Sequence, residues 1–319
     1  MSLSSPELLG VEEALARIAS SQARVLVIAL PTSRNSSHLR AEAGAPQRIA
    51  DALVRDEGNP YAENGADLGD RRNVEYIGAL ALECDDEFER IRRIAEAVVR
   101  TDRMPIFLGG DHSVTYPIIA GLHAVRGRLP IVHFDAHPDL YDELLGNRLS
   151  HASPFARIME NGLASDLWQY GIRTLNPHQR EQVGRFGVRC HEMRDHASWP
   201  LPMQRGPLYV SIDLDALDPA FAPGVAHQEP GGLSVRQLLD LLARLPGPVV
   251  GADVVEYLPQ RDVGGITAAV AAKLARELAG MMLGAAPRCA ATAIQSCEDS
   301  SAEACSSTFS RQGRAFQDS

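Results

Sequence analysis

The stretch Ile131–Asp139, which reads IVHFDAHPD, constrains this chain more tightly than any other. Its β-branched, apolar start has the composition of a strand buried on both faces. It ends abruptly in three groups able to bind a cation, Asp135, His137 and Asp139. If the stretch stays extended, alternation across the strand puts these i, i+2 and i+4 positions on one face. The pattern returns in Leu208–Asp215, LYVSIDLD, where Asp213 and Asp215 again share a parity. Two buried strands that bring four carboxylates and a histidine together require cations between them. Without cations, desolvation and like-charge repulsion would drive the carboxylates to protonate.

Around these two strands the chain alternates between the two periodicities. Arg24–Leu30 and Met104–Leu108 are predicted strands. Helices are expected from about Pro46, over Asp86–Arg100, from about Tyr116 and over Pro154–Asn161. Further on, Leu167–Ile172, Val188–His191, Leu208–Leu214 and Val249–Val254 read as strands, with helices over Pro177–Phe186 and Ala268–Leu283. Residues 57–75 are rich in Gly, Asn and Asp and read as an irregular surface excursion. Such alternation predicts an α/β fold, a three-layer αβα sandwich with a mostly parallel central sheet. Ligands of such sheets gather at the carboxyl ends of the strands, where every acidic cluster of this chain falls. One catalytic domain over residues 1–284 accounts for the pattern. Residues 285–319 are rich in Ser and Ala, lack periodicity and read as a disordered or peripheral tail.

With 319 residues and 45% hydrophobic content, the chain can bury a sizeable core. A net charge of −10 argues against a nucleic-acid or anionic-membrane partner. No apolar run reaches the roughly eighteen residues of a membrane span. The start, MSLSSPELLGVEEALARIA, lacks the basic segment and apolar core of a secretory signal. The five cysteines form no CxxC pair, so neither a disulfide framework nor a zinc ribbon is indicated. That usage leads to the expectation of a reducing, cytoplasmic setting. The even spacing of Cys289, Cys297 and Cys305 is read as coincidence, because thiolate sites use close pairs.

A second motif completes the ligand set. Met104–Leu108 runs into Gly109–Gly110–Asp111–His112, where paired glycines allow a tight turn at a strand end. His112 then joins His137 and the four aspartates as a sixth ligand. Hard carboxylate oxygens with one imidazole per ion suit Mn2+ better than Zn2+, and Ni2+ or Co2+ would accept the same donors. Two divalent ions ~3.5 Å apart can share a water and lower its pKa towards neutrality. Four carboxylates balance two such ions in charge.

Five segments in this order, GGDHSV, HFDAHPD, SHASPF, SIDLDALDPAFAPG and DVVEYLPQRD, resemble the ureohydrolases, the family of arginase, agmatinase and guanidino-acid hydrolases. The likeness runs from roughly Val25 to Leu283 and is nearest to plant-type arginases. It implies cleavage of the guanidino group of a small cationic substrate, of arginine or agmatine type, to urea and an amine. It also implies two manganese ions per subunit. His112, Asp135, Asp139 and Asp213 would hold one, and Asp135, His137, Asp213 and Asp215 the other. By the same likeness Asp139 relays a proton to the leaving amine, His151 shuttles protons and Glu256 receives the guanidinium. A homotrimer or homohexamer is implied too. The chain departs from bacterial agmatinases at His151–Ala152–Ser153. In the loop before His151 it offers only Asn147 and Ser150 to a substrate tail.

Several residues have blander readings. His133 shares parity with Asp135 but precedes the strand end, so it is expected beside the ligands and not among them. Asp111 is expected to cap the turn that carries His112. Asp218 is expected to brace the turn before Pro219. His227 sits in a loop near the predicted mouth. Alternatives are a guanidino-acid or small-guanidine hydrolase of the same family, a single-zinc deacetylase of similar fold, and a catalytically silent partner in a mixed oligomer.

Overall fold

The computed structural model describes residues 8–284, apart from residues 43, 54–58, 83, 204 and 205. Strand and helix alternate along it: β1 (Leu8–Leu9), α1 (Val11–Ser20), β2 (Val25–Ala29), α2 (Ala45–Leu53), β3 (Val74–Leu80), α3 (Glu87–Arg100), β4 (Met104–Leu108), α4 (Thr115–Arg126) and β5 (Leu129–Phe134). They continue with α5 (Pro154–Glu160), β6 (Ala164–Ile172), α6 (Pro177–Phe186), β7 (Arg189–Glu192), β8 (Leu208–Asp213), α7 (Val235–Ala243), β9 (Val249–Val255) and α8 (Ile266–Leu283).

The nine strands form one sheet in the order β1-β3-β2-β4-β9-β8-β5-β6-β7, and every pairing is parallel. Alternation splits the strand residues between two cores. Val25, Val27, Ile106, Val132, Val210 and Val254 pack with α2, α7 and α8 on one face. Leu26, Ile28, Phe107, Ile131 and Tyr209 pack with α1, α3, α4 and α5 on the other. Both faces are covered, which is why the central strands read as continuous apolar runs. Between β4 and β5 the chain crosses from one half of the sheet to the other, leaving β9 and β8 to be filled later. The crevice above the carboxyl ends of β4, β9, β8 and β5 is therefore the topological switch point, where such sheets bind ligands.

Four described elements escape the periodicity reading. β1 and α1 lie in the opening stretch, β3 at the end of the Gly- and Asn-rich excursion, and α7 between two loops. α7 had a local signal, because Ser234 and Gln237 form a reciprocal capping box at its start. The tail from residue 285, with Cys289, Cys297 and Cys305, lies outside the described residues. No described helix is long and apolar enough to cross a membrane.

Strand parity is not what brings the acidic groups together. β5 stops at Phe134, one residue before Asp135, and Asp139 adopts a left-handed backbone with φ 50°. β8 stops at Asp213, and Asp215 lies in a 3-10 turn, Leu214–Ala216, with its backbone N–H on Asp213 Oδ1 at 2.8 Å. The acidic groups converge because the chain turns back over the strand ends, not because an extended segment alternates.

Candidate metal centre

Four strand ends build the centre. β4 delivers the turn Gly109–Ser113, in which Asp111 caps by accepting the Ser113 N–H, as expected of it. Gly110 is required there, since a Cβ would stand 1.6 Å from the carbonyl oxygen of Thr32. β5 delivers Asp135, His137 and Asp139, β8 delivers Asp213 and Asp215, and β9 delivers Glu256. Glu256 is also left-handed, at φ 65°. Its N–H donates to the Gly110 carbonyl at 2.9 Å, and its Oε1 accepts the His112 N–H at 2.9 Å. Strained backbone at two of the proposed site residues is strain held in place by its surroundings.

His112 Nδ1 lies 3.1 Å from Asp135 Oδ2, 3.1 Å from Asp139 Oδ2 and 3.3 Å from Asp213 Oδ2. It is buried and has no hydrogen-bond partner among the described residues. His137 Nδ1 lies 3.3 Å from Asp135 Oδ1 and 2.9 Å from Asp215 Oδ2. Asp135 thus faces His112 through Oδ2 and His137 through Oδ1. Adjacent donors of an octahedral ion with bonds of about 2.1 Å stand about 3.0 Å apart, so these spacings match donors around a cation. All six sequence-predicted ligands meet here.

The environment of each histidine fixes its proton. Ser211, Tyr209 and Thr115 donate their hydroxyls to the Asp253 carboxyl at 2.6, 2.7 and 2.9 Å. Ser211 Oγ has spent its hydrogen, so it accepts from His112 Nε2 at 3.0 Å, leaving Nδ1 to face the three carboxylates. For His133 the logic runs the other way. Gln169 Nε2 donates to the Pro138 carbonyl at 2.6 Å, which orients the amide, and lies 3.1 Å from His133 Nδ1. The His133 proton is then on Nε2, donated to Asp135 Oδ2 at 2.8 Å. His133 can be grouped with His112 and Asp135 as a trio of potential ligands. Its hydrogen bond to Asp135 suits a support for that carboxylate.

Charge in the bare cluster is frustrated. Burial opposes ionisation of His112, yet Asp135, Asp139 and Asp213 push its pKa well above the ordinary value. Burial likewise opposes charge on His137, while Asp215 and Asp135 raise it. Burial, then Asp215 and Asp135, hold the Asp213 carboxyl well above the usual range. Protons here stand in for missing positive charge, and divalent cations would relieve the same repulsion.

A cavity of about 210 Å³ opens above the cluster, bordered by Asp139, His151, Thr174, Gln179, His227 and Glu256. A larger recess of about 670 Å³ borders α2, α8 and β3, but it gathers no ligand set. Burial pushes Glu256 up to about 7, with His151 lowering it and Asp111 raising it. His227 stacks on His151 at 5.7 Å and 5°, and burial with His137, His151 and His38 lowers its pKa to about 4. His227 is therefore a neutral ring roofing the site. Asn147 turns away from the cavity, its Nδ2 donating to Asn35 Oδ1 at 3.1 Å. Asp218 accepts the N–H groups of Ala220, Gly231 and Gly232, bracing its turn as expected. Sequence reasoning missed Ser211, Asp253 and Gln169. The available signal was a polar residue interrupting an apolar strand at the parity that faces the site.

The sequence pattern of the arginase family matches residues 23–280. This chain belongs to the arginase family. It is 44% identical over 274 residues to the mitochondrial arginase of Medicago truncatula, covering 80% of this chain and 81% of that protein. The solved Medicago truncatula arginase superposes with a TM-score of 0.79 at 41% identity, covering 85% of this chain and 94% of that one. The human mitochondrial guanidino acid hydrolase is 36% identical over 227 residues, covering 67% of this chain and 63% of that protein. Family membership and the metal-capable His/Asp cluster make the chain a ureohydrolase of arginase/agmatinase type, acting on a guanidino group. The cytoplasmic expectation is overturned. The plant arginases it resembles are named mitochondrial or chloroplastic/mitochondrial. The absence of a CxxC pair carried that expectation, and it does not distinguish the cytosol from other compartments.

Proposed function

We propose that the chain is a manganese-dependent hydrolase that cleaves arginine or agmatine to urea and an amine. The observation that carries this reading is His112 Nδ1, buried, unpartnered and ringed by three carboxylate oxygens. His112, Asp135, Asp139 and Asp213 would hold one ion. Asp135, His137, Asp213 and Asp215 would hold the second, with Asp135 and Asp213 shared. Four carboxylates and two imidazoles are the donor chemistry of Mn2+. When bound, the ion pair supplies an acidified water and stabilises charge that develops at the attacked carbon.

The residues of the chain do the rest. Glu256, easily protonated while alone, becomes fully charged when a planar guanidinium approaches, and orients it by paired hydrogen bonds. Asp139, which borders the cavity, would hold the proton that the departing amine needs. His151 exchanges protons with solvent, a task suited to a ring titrating near neutral pH. The cavity walls beyond the cluster include the uncharged Tyr141, Thr174 and Gln179, which would receive the substrate tail. A homotrimer or homohexamer, measurable by light scattering, is part of the proposal.

The test is urea release from arginine, agmatine, 4-guanidinobutyrate and guanidinopropionate, each with Mn2+ or Ni2+. The reading predicts the highest kcat/KM for arginine or agmatine with Mn2+. A clear preference for a guanidino acid would replace the substrate, and no urea from any of them would end the proposal.

A further inference from the structure

We infer that Asn35, in the loop after β2, is the positioning residue of His151. Its backbone carbonyl decides which ring nitrogen carries the proton, and its side-chain amide holds that carbonyl in place. The inference rests on the reading of His151 as the proton-exchanging group.

The His151 Nδ1 lies 3.1 Å from the Asn35 carbonyl oxygen and 3.3 Å from Ser150 Oγ. A carbonyl only accepts, so Nδ1 carries the hydrogen and Nε2 keeps the lone pair of the neutral ring. The backbone N–H of His151 donates to the same carbonyl at 3.2 Å. One oxygen therefore clamps both the main chain and the ring of His151, while His227 covers the ring's face.

Every other polar group of Asn35 is committed. Its N–H donates to Asp111 Oδ2 at 3.0 Å, and its Nδ2 donates to Glu87 Oε1 at 3.1 Å and Ser113 Oγ at 3.2 Å. Its Oδ1 accepts from Asn147 Nδ2 at 3.1 Å. Glu87, at the start of α3, is 6% exposed, and its second oxygen accepts from Thr32 Oγ1 at 2.7 Å. A buried carboxylate spent on two residues of one loop is a costly way to secure a loop that only covers surface. It is a suitable way to hold a carbonyl to within a few tenths of an ångström of a ring that must move protons.

The test compares metal-loaded wild-type protein with Asn35→Ala, Asn35→Asp, Asn35→Asp combined with Glu87→Gln, and His151→Ala. Asn35→Ala should lower kcat about 10- to 100-fold at unchanged KM and metal content, and free imidazole should restore most of it, as for His151→Ala. Asn35→Asp sets a carboxylate against Glu87 and should be worse, while adding Glu87→Gln reverses donor and acceptor and should recover activity. An unchanged kcat in Asn35→Ala overturns the inference. So does a loss that imidazole repairs in His151→Ala but not in Asn35→Ala, which would give Asn35 a purely structural part. If His151→Ala keeps full kcat, or imidazole does not repair it, the underlying reading of His151 fails instead.

Discussion

Two charged clusters in this molecule show opposite solutions to the same electrostatic problem. On the outer surface Glu63 meets Arg236 at 2.8 Å and Lys273 at 3.2 Å, and Lys273 meets Glu277 at 2.6 Å. Opposite signs are interleaved and solvent reaches them, so the cluster is complete as it stands. At the strand ends, four aspartates and two histidines are packed together with Asp135 and His112 fully buried. Among the described residues, no lysine or arginine joins that ligand cluster. The first arrangement needs nothing added, whereas the second is coherent only around cations. Buried ionisable groups that cannot neutralise one another mark function more reliably than the number of charges gathered.

The sharpest way to break this comparison is to remove one shared ligand. Asp213→Asn should lose at least one ion by mass-spectrometric metal counting, and urea release should fall by more than about 100-fold. Retention of both ions would show that the cluster does not need that carboxylate. Next in size is Gly110→Ala, whose Cβ would meet the Thr32 carbonyl at 1.6 Å. Because that oxygen belongs to backbone, denaturant unfolding should register about 3 kcal/mol of lost stability. A change below 1 kcal/mol would mean that the turn tolerates more than its geometry suggests. Glu256→Gln keeps the shape but removes the charge, and should lower kcat/KM by about 10- to 100-fold, the worth of a charge-assisted hydrogen bond. Equal activity would remove Glu256 from guanidinium recognition.

The surface network supplies the smallest effect and a pH signature. The Arg236 guanidinium lowers the Glu63 pKa from 4.5 to about 2, with Lys273 assisting against burial. A depressed carboxylate contributes stability above its unfolded pKa, and that contribution disappears as pH falls from about 4.5 to about 2. Glu63 is 45% exposed, so solvent screening holds the contribution to at most about 1 kcal/mol, and less in high salt. Stability measured for wild type and Glu63→Gln should therefore differ slightly at pH 7 and converge near pH 2. A difference that grows on acidification would contradict the pairing.

The same contrast explains what could be read before the fold was known. Strands such as Val249–Val255 and helices such as Pro177–Phe186 declare themselves because burial on both faces, or a Pro start and Gly end, leaves a local imprint. The ligands were legible because Asp135, His137 and Asp139 are crowded within five residues. Their geometry was not legible, since the left-handed turn at Asp139 is set by packing over the strand end. The supports were hidden for a different reason. Asn35, Glu87 and Asn147 lie on three distant segments, and nothing in any one of them announces the others. β3 was obscured by the polar excursion before it, where composition outweighed the short apolar run.

The central claim is that the strand-end cluster exists to hold two cations. Counting bound metal on the purified chain after equilibration with Mn2+ and removal of free ions tests it most directly. Two ions per chain, lost on chelation together with urea release and several degrees of thermal midpoint, are the expected result. One ion or none, with the histidines and aspartates intact, would contradict it.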